Sequence, residues 1–382
     1  MVDLRKMLRH IDWLTVASLV TLIGVGLVFI ASATNAQPVN GDNLHYVKRQ
    51  AAWAAISLAA LIIVVALDYE LILRLAPWIY WANIALLGLV MVAGSSAYGA
   101  QRWLEIGPIR VQPSEFAKVA MIIAFASFLS ADHRQEAGAL GRLRDLLPSF
   151  AYVGLPMLLV FKQPDLGTSL VFVGITVGML YMAGANPKAL FGLIGGVLSL
   201  GSLAIYLHYR IGLWIPLREY QLRRLLSFLD PGSDLRQSGY HTHQSQIAIG
   251  SGRLFGKGLM AGSQNQLNFL PQRHTDFIFS VIGEEAGFAG AVLVLGLFLL
   301  LAWRGTVIAA RAKDKAGSLL AIGVVSMLVF HVLVNVGMAS GIMPVTGLPL
   351  PFISSGGSSL LANCVAVGLM LNVDMRRFKI YF

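Results

Sequence analysis

The stretch Leu270-Pro271-Gln272-Arg273-His274-Thr275-Asp276 ends the longest polar interval of the chain and runs directly into an apolar segment, residues 277–303. Within that apolar segment the only ionisable residues are Glu284 and Glu285. An apolar run of more than about 20 residues is typical of a helix that crosses a bilayer. This junction therefore predicts a membrane protein whose chemistry lies where a polar loop enters a membrane span.

The composition of the rest of the chain agrees with this prediction. Apolar residues make up 56% of the sequence, charged residues only 13%, and the mean hydropathy is +0.70, whereas about a quarter of a soluble domain is charged. We therefore predict an all-α polytopic membrane protein in which residues 1–382 form one integral membrane domain. Hydropathy places about ten spans, at 13–33, 52–67, 71–94, 114–130, 146–162, 166–185, 189–211, 277–303, 317–343 and 349–373.

The net charge of +10 suggests nucleic acid in a soluble protein, but membrane topology explains it here. With the N-terminus inside, most basic residues of the short loops face the cytoplasm, as the positive-inside rule requires. The short outer loops then hold only Lys48, Arg49, Arg102, Arg110 and Lys162. Both termini are predicted to be cytoplasmic, and the large loop, residues 212–276, is predicted to be extracytoplasmic.

Other features exclude several classes of site. The first span is longer than the apolar core of a signal peptide, so we expect a retained helix. Cys364 is the only cysteine, which excludes an intrachain disulfide and a zinc cluster. His241 and His243 are two residues apart, a spacing that does not suit a metal pair on a helix.

One candidate group lies in the short outer loop after the third span, which contains Arg102, Trp103 and Arg110. These residues can bring cations to the level of the lipid headgroups and bind an anionic substrate. Alternatively, an interfacial Trp and Arg simply anchor the helix bundle.

A second candidate group opens the fourth span, where Ser114 is a predicted cap and Glu115 and Lys118 lie one turn apart on one helix face. Ionisable residues at membrane depth need a partner or a water-filled cavity. We favour a pair that faces a cavity. The alternative is a structural ion pair between helices.

Three further stretches are polar where the chain meets the membrane. Asp165 is a predicted N-cap of the sixth span, and residues 219–231, with Arg223 and Arg224, have the pattern of a basic helix in the headgroup layer. Glycines surround Lys257, which leaves phosphate binding and simple backbone flexibility both open. The helix-breaking tract 349–359 is expected to line a cavity, because irregular backbone at this depth must be covered by protein.

Taken together, these motifs resemble the SEDS proteins (shape, elongation, division and sporulation), and the resemblance spans essentially the whole chain. It rests on Gly99-Ala-Gln-Arg-Trp103, Gln112-Pro-Ser-Glu115 with Lys118, Gln163-Pro-Asp-Leu-Gly-Thr168, Phe228-Leu-Asp-Pro231, Gln244-Ser-Gln-Ile-Ala-Ile-Gly-Ser-Gly252, Gly256-Lys-Gly258, His274-Thr-Asp-Phe-Ile-Phe279, Gly283-Glu-Glu285, Thr346-Gly-Leu-Pro-Leu-Pro351 and Gly356-Gly-Ser-Ser359. Within the family, the motif at 163–168 looks more like the elongation type (RodA) than the division type (FtsW).

The resemblance implies a peptidoglycan glycosyltransferase of the bacterial inner membrane that polymerises lipid II at the outer face. It implies Asp276 as the catalytic base, and we predict a substrate site formed by Arg102, Trp103, Arg110, Glu115, Lys118, Lys257, Glu284 and Glu285. It further implies a divalent cation, Mg or Mn, with unknown ligands. The implied partner is a class B penicillin-binding protein in an elongation complex, and no nucleic acid is expected.

Four alternatives stay open at this point. The chain could be a lipid II flippase, although its motifs gather on one side of the membrane rather than along a path to both. It could be a non-catalytic scaffold, or a division-type polymerase. Asp276 itself could be only an N-cap of the eighth span.

Overall fold

The computed structural model describes residues 11–35, 42–97, 100–107, 109–131, 143–215, 221, 222, 224, 228 and 238–377. Within this part of the chain, nine helices are long and apolar enough to cross a membrane, and a tenth, Leu166–Met182, is slightly shorter. The all-α polytopic prediction is confirmed. In chain order the elements are α1 (Trp13–Thr34), α2 (His45–Ala66), α3 (Tyr69–Arg74), α4 (Ala76–Ala93), β1 (Ser95–Ala97), β2 (Ala100–Ile106), β3 (Ile109–Val111), α5 (Pro113–Ala131), α6 (Leu143–Lys162), α7 (Leu166–Met182), α8 (Pro187–Ile211), α9 (Ser238–Ser251), α10 (Ser263–Gln266), α11 (Ile278–Glu285), α12 (Gly287–Ala310), α13 (Lys315–Ala339) and α14 (Gly357–Met375).

The ends of several spans differ from the hydropathy prediction. Helix α2 begins at His45 rather than at 52. Hydropathy did not detect its first two turns because they are polar. The segment Tyr69–Arg74 is a separate short helix, since the Asp68 side chain accepts from the backbone N–H of Glu70 and starts it. Helix α14 begins at Gly357 rather than at 349, and the tract before it is not helical.

Helices α5, α13 and α14 form the centre of the bundle. In the apolar 18-residue segment of each helix, 67%, 67% and 89% of the residues, respectively, are buried. Small residues let these helices approach closely. A Cβ added at Gly323 of α13 would lie only 2.8 Å from the side chain of Ile122 in α5. Helix α8, in contrast, is only 6% buried, as expected of a helix that faces lipid.

A small antiparallel sheet, in the order β1-β2-β3, connects α4 to α5. It was not part of the all-α prediction. Gly107, with φ +62°, supplies the turn between β2 and β3, and the register places Glu105 opposite Arg110. Strands β2, with Trp103, and β3, with Arg110, thus form a hairpin that lies next to the start of α5.

The predicted eighth span is broken into α11 and α12 at Ala286, and Gly287 there has φ +66°. The loop 252–258 satisfies the backbone groups that the break exposes. The N–H groups of Lys257 and Gly258 donate to the carbonyls of Glu284 and Glu285 at 3.0 Å each. In return, Phe288 and Ala289 donate to the carbonyls of Arg253 and Leu254 at 2.9 and 3.0 Å. Because these groups pair, a non-helical segment can lie inside the bundle.

This close approach also explains the glycines near Lys257. A Cβ at Gly252 would lie 1.9 Å from the carbonyl oxygen of Gly283, and one at Gly256 would lie 2.1 Å from that of Glu285. The glycines are therefore required where the two backbones touch, and this packing accounts for them without a bound phosphate.

The predicted large loop contains helices α9 and α10 in its described part. Most of the predicted headgroup helix at 219–231, including Arg223, lies outside the described residues, whereas Arg224 is described.

Candidate active site

A cavity of about 380 Å³ lies among the start of α2, the hairpin, the turn before α11 and the tract before α14. The hairpin, the turn before α11 and the tract before α14 hold polar motifs identified in the sequence, whereas the start of α2 does not. The lining residues are Tyr46, Arg49, Gln50, Trp53, Ser95, Trp103, Glu105, Arg110, Gln112, His274, Thr275, Asp276, Gly347, Pro349, Ser355, Gly356, Gly357, Ser358 and Ser359. The predicted residues Asp276, Trp103 and Arg110 therefore share one cavity.

Asp276 is not the N-cap of the helix that follows it. Helix α11 begins at Ile278, its N-cap is Phe277, and no side chain caps it. The carboxyl group is partly buried, and this burial raises the pKa of Asp276 to about 6, although Arg224 and Arg102 favour the charged form. A carboxylate whose pKa lies just below neutral pH is well matched to accepting a proton.

The backbone that carries Asp276 is held by its neighbours. The N–H of Ser355 donates to the carbonyl of His274 at 2.9 Å, and the hydroxyl of Ser354 donates to the carbonyl of Thr275 at 2.6 Å. The tract 349–359 thus lines the cavity, as predicted, and also fixes the turn opposite it.

His274 also lines the cavity and is another group there that can accept a proton. Burial, with a smaller contribution from the adjacent Arg273, lowers the pKa of His274. The imidazole is therefore neutral at physiological pH. Its ring lies 4.8 Å from the ring of Tyr46, centroid to centroid.

The cations of this region have different surroundings. Arg49 and Arg110 line the cavity, and the Nε of Arg110 lies 2.9 Å from Glu105 in an exposed ion pair. Arg102 is half-buried, and its guanidinium donates to the backbone carbonyls of Gln163 and Pro164. Arg102 therefore ties the hairpin to the α6–α7 connection, while its charge still acts on Asp276.

Four cavity residues in the first turns of α2 were missed from the sequence: Tyr46, Arg49, Gln50 and Trp53. Gln50 bridges to the tract before α14, because its side chain donates to the carbonyl of Ser354 and accepts from the N–H of Gly356. The prediction started this span at 52 and so left Tyr46, Arg49 and Gln50 in a loop, while Trp53 was placed in an apolar span. An amphipathic start to the helix was the available signal.

Glu115 and Lys118 form an ion pair of 2.9 Å, and both side chains are almost fully buried. Lys118 also lies 2.7 Å from Nε2 of His331 on α13. Because Nδ1 of His331 lies 2.8 Å from the carbonyl of Met327, that nitrogen carries the proton and Nε2 accepts from Lys118. The geometry corresponds to the structural ion-pair alternative, and neither residue lines the cavity.

Asp165 is confirmed as the N-cap of α7, since its side chain accepts from the N–H of Thr168. The predicted capping role of Ser114 was wrong. Ser114 lies within the first turn of α5, and its hydroxyl donates to the Asp165 carboxylate at 3.1 Å.

Glu284 and Glu285 lie at the break between α11 and α12 and bind the loop that precedes α11. Glu284 pairs with Lys257 at 2.7 Å and accepts from the backbone N–H of Gln264 at 2.9 Å. Glu285 accepts from Ser32 of α1 at 2.6 Å and from the Asn265 side chain at 2.9 Å. These three predicted substrate residues are therefore brought together away from the cavity lining.

A metal site built only from protein side chains does not emerge. Among the described residues, no group of three His, Cys, Asp or Glu side chains is placed to hold an ion. The carboxylates of the cavity are Glu105 and Asp276. Mg²⁺ commonly takes only one or two carboxylates and completes its shell with substrate phosphate and water, and this donor set fits that arrangement.

Comparison with known proteins matches nearly the whole chain. The sequence model of the FtsW, RodA and SpoVE family, described as cell cycle proteins, matches residues 10–379. The peptidoglycan glycosyltransferase MrdB of Escherichia coli K12 is 37% identical over 369 residues, 96% of this chain and 94% of that protein. The crystal structure of the Thermus thermophilus rod shape determining protein RodA is 30% identical, with a TM-score of 0.70, and covers 97% of this chain and 98% of that one. A chain from a structure described as "Structural coordination of polymerization and crosslinking by a peptidoglycan synthase complex" is 31% identical, with a TM-score of 0.80, and covers 97% of this chain and 99% of that one.

Proposed function

This chain belongs to the FtsW, RodA and SpoVE family of cell cycle proteins, and we propose from that premise that it is a peptidoglycan glycosyltransferase that polymerises lipid II during cell elongation. Membership in the family and the similarity to MrdB support the enzyme class. The observation that carries the mechanism is the Asp276 carboxyl group, partly buried in a cavity that also holds cations.

In this reaction the 4-hydroxyl of an acceptor GlcNAc attacks the anomeric carbon of a MurNAc diphospholipid. A C–O bond to the new sugar forms, the bond from that carbon to the diphosphate breaks, and the configuration inverts. Asp276 accepts the hydroxyl proton during the attack. Undecaprenyl diphosphate leaves with the bonding electron pair, so no covalent sugar intermediate on the enzyme is needed.

The departing diphosphate needs fixed positive charge where its own charge develops. Arg49 and Arg110 line the cavity and are the cations best placed for this role, and Arg102 adds charge from beside it. Lys118, predicted for the same role, is fully buried beside Glu115 and His331. Replacement of both Arg49 and Arg110 by alanine should abolish polymerisation, and normal activity of that folded variant would remove them from the site.

A divalent cation, Mg or Mn, is part of the proposal. When bound, it would neutralise diphosphate charge, and Glu105 is the cavity carboxylate that the proton transfer leaves available to hold it. Chelation should then stop polymerisation, and added Mg should restore it. Full activity in excess chelator would remove the cation from the mechanism.

The protein is a multi-pass inner membrane protein, and we propose that the cavity faces the periplasm. The cavity lies at one end of the bundle, where α2, α5 and α14 begin. Short connections at the opposite end carry many basic residues: Arg74, Lys188, Arg304, Arg311, Lys313, Lys315, Arg376 and Arg377. That excess supports a cytoplasmic location for the opposite end, and with it for both termini.

The proposed partner is a class B penicillin-binding protein that cross-links the new strand within an elongation complex. The similarity to a chain of a peptidoglycan synthase complex supports it. The family includes FtsW as well as RodA, so the division type is the alternative. Restoration of rod shape, but not of division, in cells depleted of their own polymerases would establish the elongation type.

The decisive test of the activity uses the purified full chain, alone and with its transpeptidase partner, and labelled lipid II. We expect polymeric glycan that muramidase digests. Lipid II translocation in vesicles without any polymer would identify a flippase instead. Neither polymer nor translocation, with the partner's own activity intact, would identify a scaffold.

A further inference from the structure

Asn335 is a fully buried polar residue inside the apolar helix α13. Its side-chain nitrogen donates two hydrogen bonds, to the carbonyl of Asp276 at 2.8 Å and to the carbonyl of Leu348 at 2.7 Å. One amide group therefore joins the turn that carries the proposed base to Leu348, which directly precedes the tract 349–359.

The chemistry of these contacts determines how the amide is oriented. Both partners are carbonyl oxygens, so only the NH₂ group of Asn335 can bind them. The Oδ1 atom is buried and has no hydrogen-bond partner among the described residues. An apolar side chain of similar size would avoid this unpaired oxygen. What asparagine provides here is the pair of donated bonds.

The two hydrogen-bonded carbonyls belong to Asp276 itself and to Leu348, whose neighbour Gly347 lies close to the Asp276 carboxylate. Gly347 adjoins Leu348 and has φ +77°, and a Cβ added to it would lie 3.5 Å from Oδ2 of Asp276. The backbone at Gly347, just before the tract 349–359, thus lies beside the carboxylate itself. Asn335 holds the carbonyls of Asp276 and Leu348 together. Together with the bonds from Ser354 and Ser355 to the same turn, it sets the separation between the base and the backbone at Gly347.

We propose that Asn335 is a positioning residue for glycan polymerisation: its two bonds hold the Asp276 carboxylate in register with the cavity wall at Gly347. This inference rests on the proposed role of Asp276. Asn335 does not itself line the cavity, so its removal should alter the rate of the chemical step rather than the binding of lipid II. A displacement of about 1 Å at a reacting group can lower a rate about 100-fold.

The chain supplies a matched control at the other end of the bundle. Asn372 of α14 is also fully buried, and its side-chain nitrogen donates to two backbone carbonyls, those of Val64 and Leu67. It differs in that its oxygen accepts from Arg376. Asn372→Leu therefore removes an equivalent pair of hydrogen bonds far from the cavity. Its effect on stability and activity is the effect of losing two buried hydrogen bonds as such.

The test measures kcat and KM for lipid II with the purified full chains Asn335→Leu, Asn335→Asp and Asn372→Leu. We expect kcat to fall about 100-fold in Asn335→Leu, with KM little changed. Asn372→Leu should lose comparable thermal stability and keep its kcat. Asn335→Asp keeps the shape of the side chain, so it decides the question if the leucine variant does not fold. Its kcat should also fall, because a carboxyl group donates one hydrogen bond when protonated and none when ionised, so at least one of the two bonds is lost.

Equal kcat values for the folded Asn335 variants and the Asn372 control would overturn the positioning role. So would a large rise in KM at unchanged kcat, which would make Asn335 a determinant of binding. Normal activity of Asp276→Asn would instead overturn the role of Asp276 on which this inference rests. Absence of polymer from the unaltered chain would overturn the proposed function, so the three failures are distinguishable.

Discussion

At the scale of single residues, the candidate site depends on where one carboxyl group lies. Asp276 is partly buried beside Arg102 and Arg224, and burial outweighs those charges enough to raise its pKa to about 6. The same residue on an exposed loop would be a weaker base. Its place at the cavity, rather than at the N-cap of α11, favours the proposed role as a base over a capping role.

The raised pKa of Asp276 predicts the pH dependence of polymerisation. Only the ionised carboxylate accepts a proton, and that form is lost as pH falls through about 6. We therefore expect kcat/KM for lipid II to be constant above pH 7 and to decrease about tenfold per pH unit well below 6. Initial rates between pH 4.5 and 8 check this. A rate that stays constant down to pH 4.5 would contradict the assignment.

At the scale of helices and loops, the sequence indicated which residues are candidates for the site but not which of them contact one another in the fold. Asp276, Trp103 and Arg110 were predicted together because their motifs are polar at the membrane boundary. Asn335 and His331 were missed, since a lone polar residue in an apolar run gives no local signal of its partner. The break at Ala286 was missed because it contains no proline, and its backbone groups are satisfied by a loop about 30 residues earlier.

The buried pair of Glu115 and Lys118 should behave as one unit. Removing either partner leaves the other charge buried, a loss of about 3 to 5 kcal/mol in unfolding free energy for a fully buried pair. Thermal stability of Glu115→Gln, Lys118→Met and the double variant should therefore be strongly non-additive. The exposed pair Glu70 and Lys313 is the control, and its variants should change stability by about 1 kcal/mol or less. Additive effects at the buried pair would mean that the two charges do not interact.

The loop that covers the helix break should tolerate no side chain at its contact point. Gly252→Ala places a methyl group against the carbonyl of Gly283 and should destabilise the protein by about 1 to 3 kcal/mol. Gly24→Ala is the matched control, because nothing lies within 4 Å of a Cβ there. Equal thermal midpoints for the two variants would contradict the docking of loop 252–258.

At the scale of the whole molecule, hydropathy was sufficient to predict the helices of the bundle but not the structure at their ends. All ten predicted spans correspond to helices, because each has enough apolar length to be recognised alone. The hairpin 100–111 and the early start of α2 were not predicted, since both form where polar residues fold around the cavity instead of facing lipid. Those ends contribute Tyr46, Arg49, Gln50, Trp103, Glu105 and Arg110 to the cavity lining.

The proposed orientation can be measured on intact cells. Cys364, the only cysteine, is buried, so an introduced cysteine can be labelled selectively. A membrane-impermeant maleimide should label Asn43→Cys, at the cavity end, in intact cells. It should label Ala310→Cys, at the opposite end, only after permeabilisation. The reverse pattern would place the cavity in the cytoplasm.

The central claim is that Asp276 is the base of a lipid II polymerase, and the most direct measurement is polymerisation by Asp276→Asn. The control is Asp314→Asn, which changes an aspartate that caps α13 far from the cavity. Asparagine keeps the size of the side chain, caps helices as aspartate does and cannot accept the proton. We predict that Asp276→Asn is folded, still binds its transpeptidase partner and makes no glycan, whereas Asp314→Asn polymerises at the wild-type rate. Near-normal glycan synthesis by Asp276→Asn would contradict the claim and leave His274 and Glu105 as the candidate bases in the cavity lining.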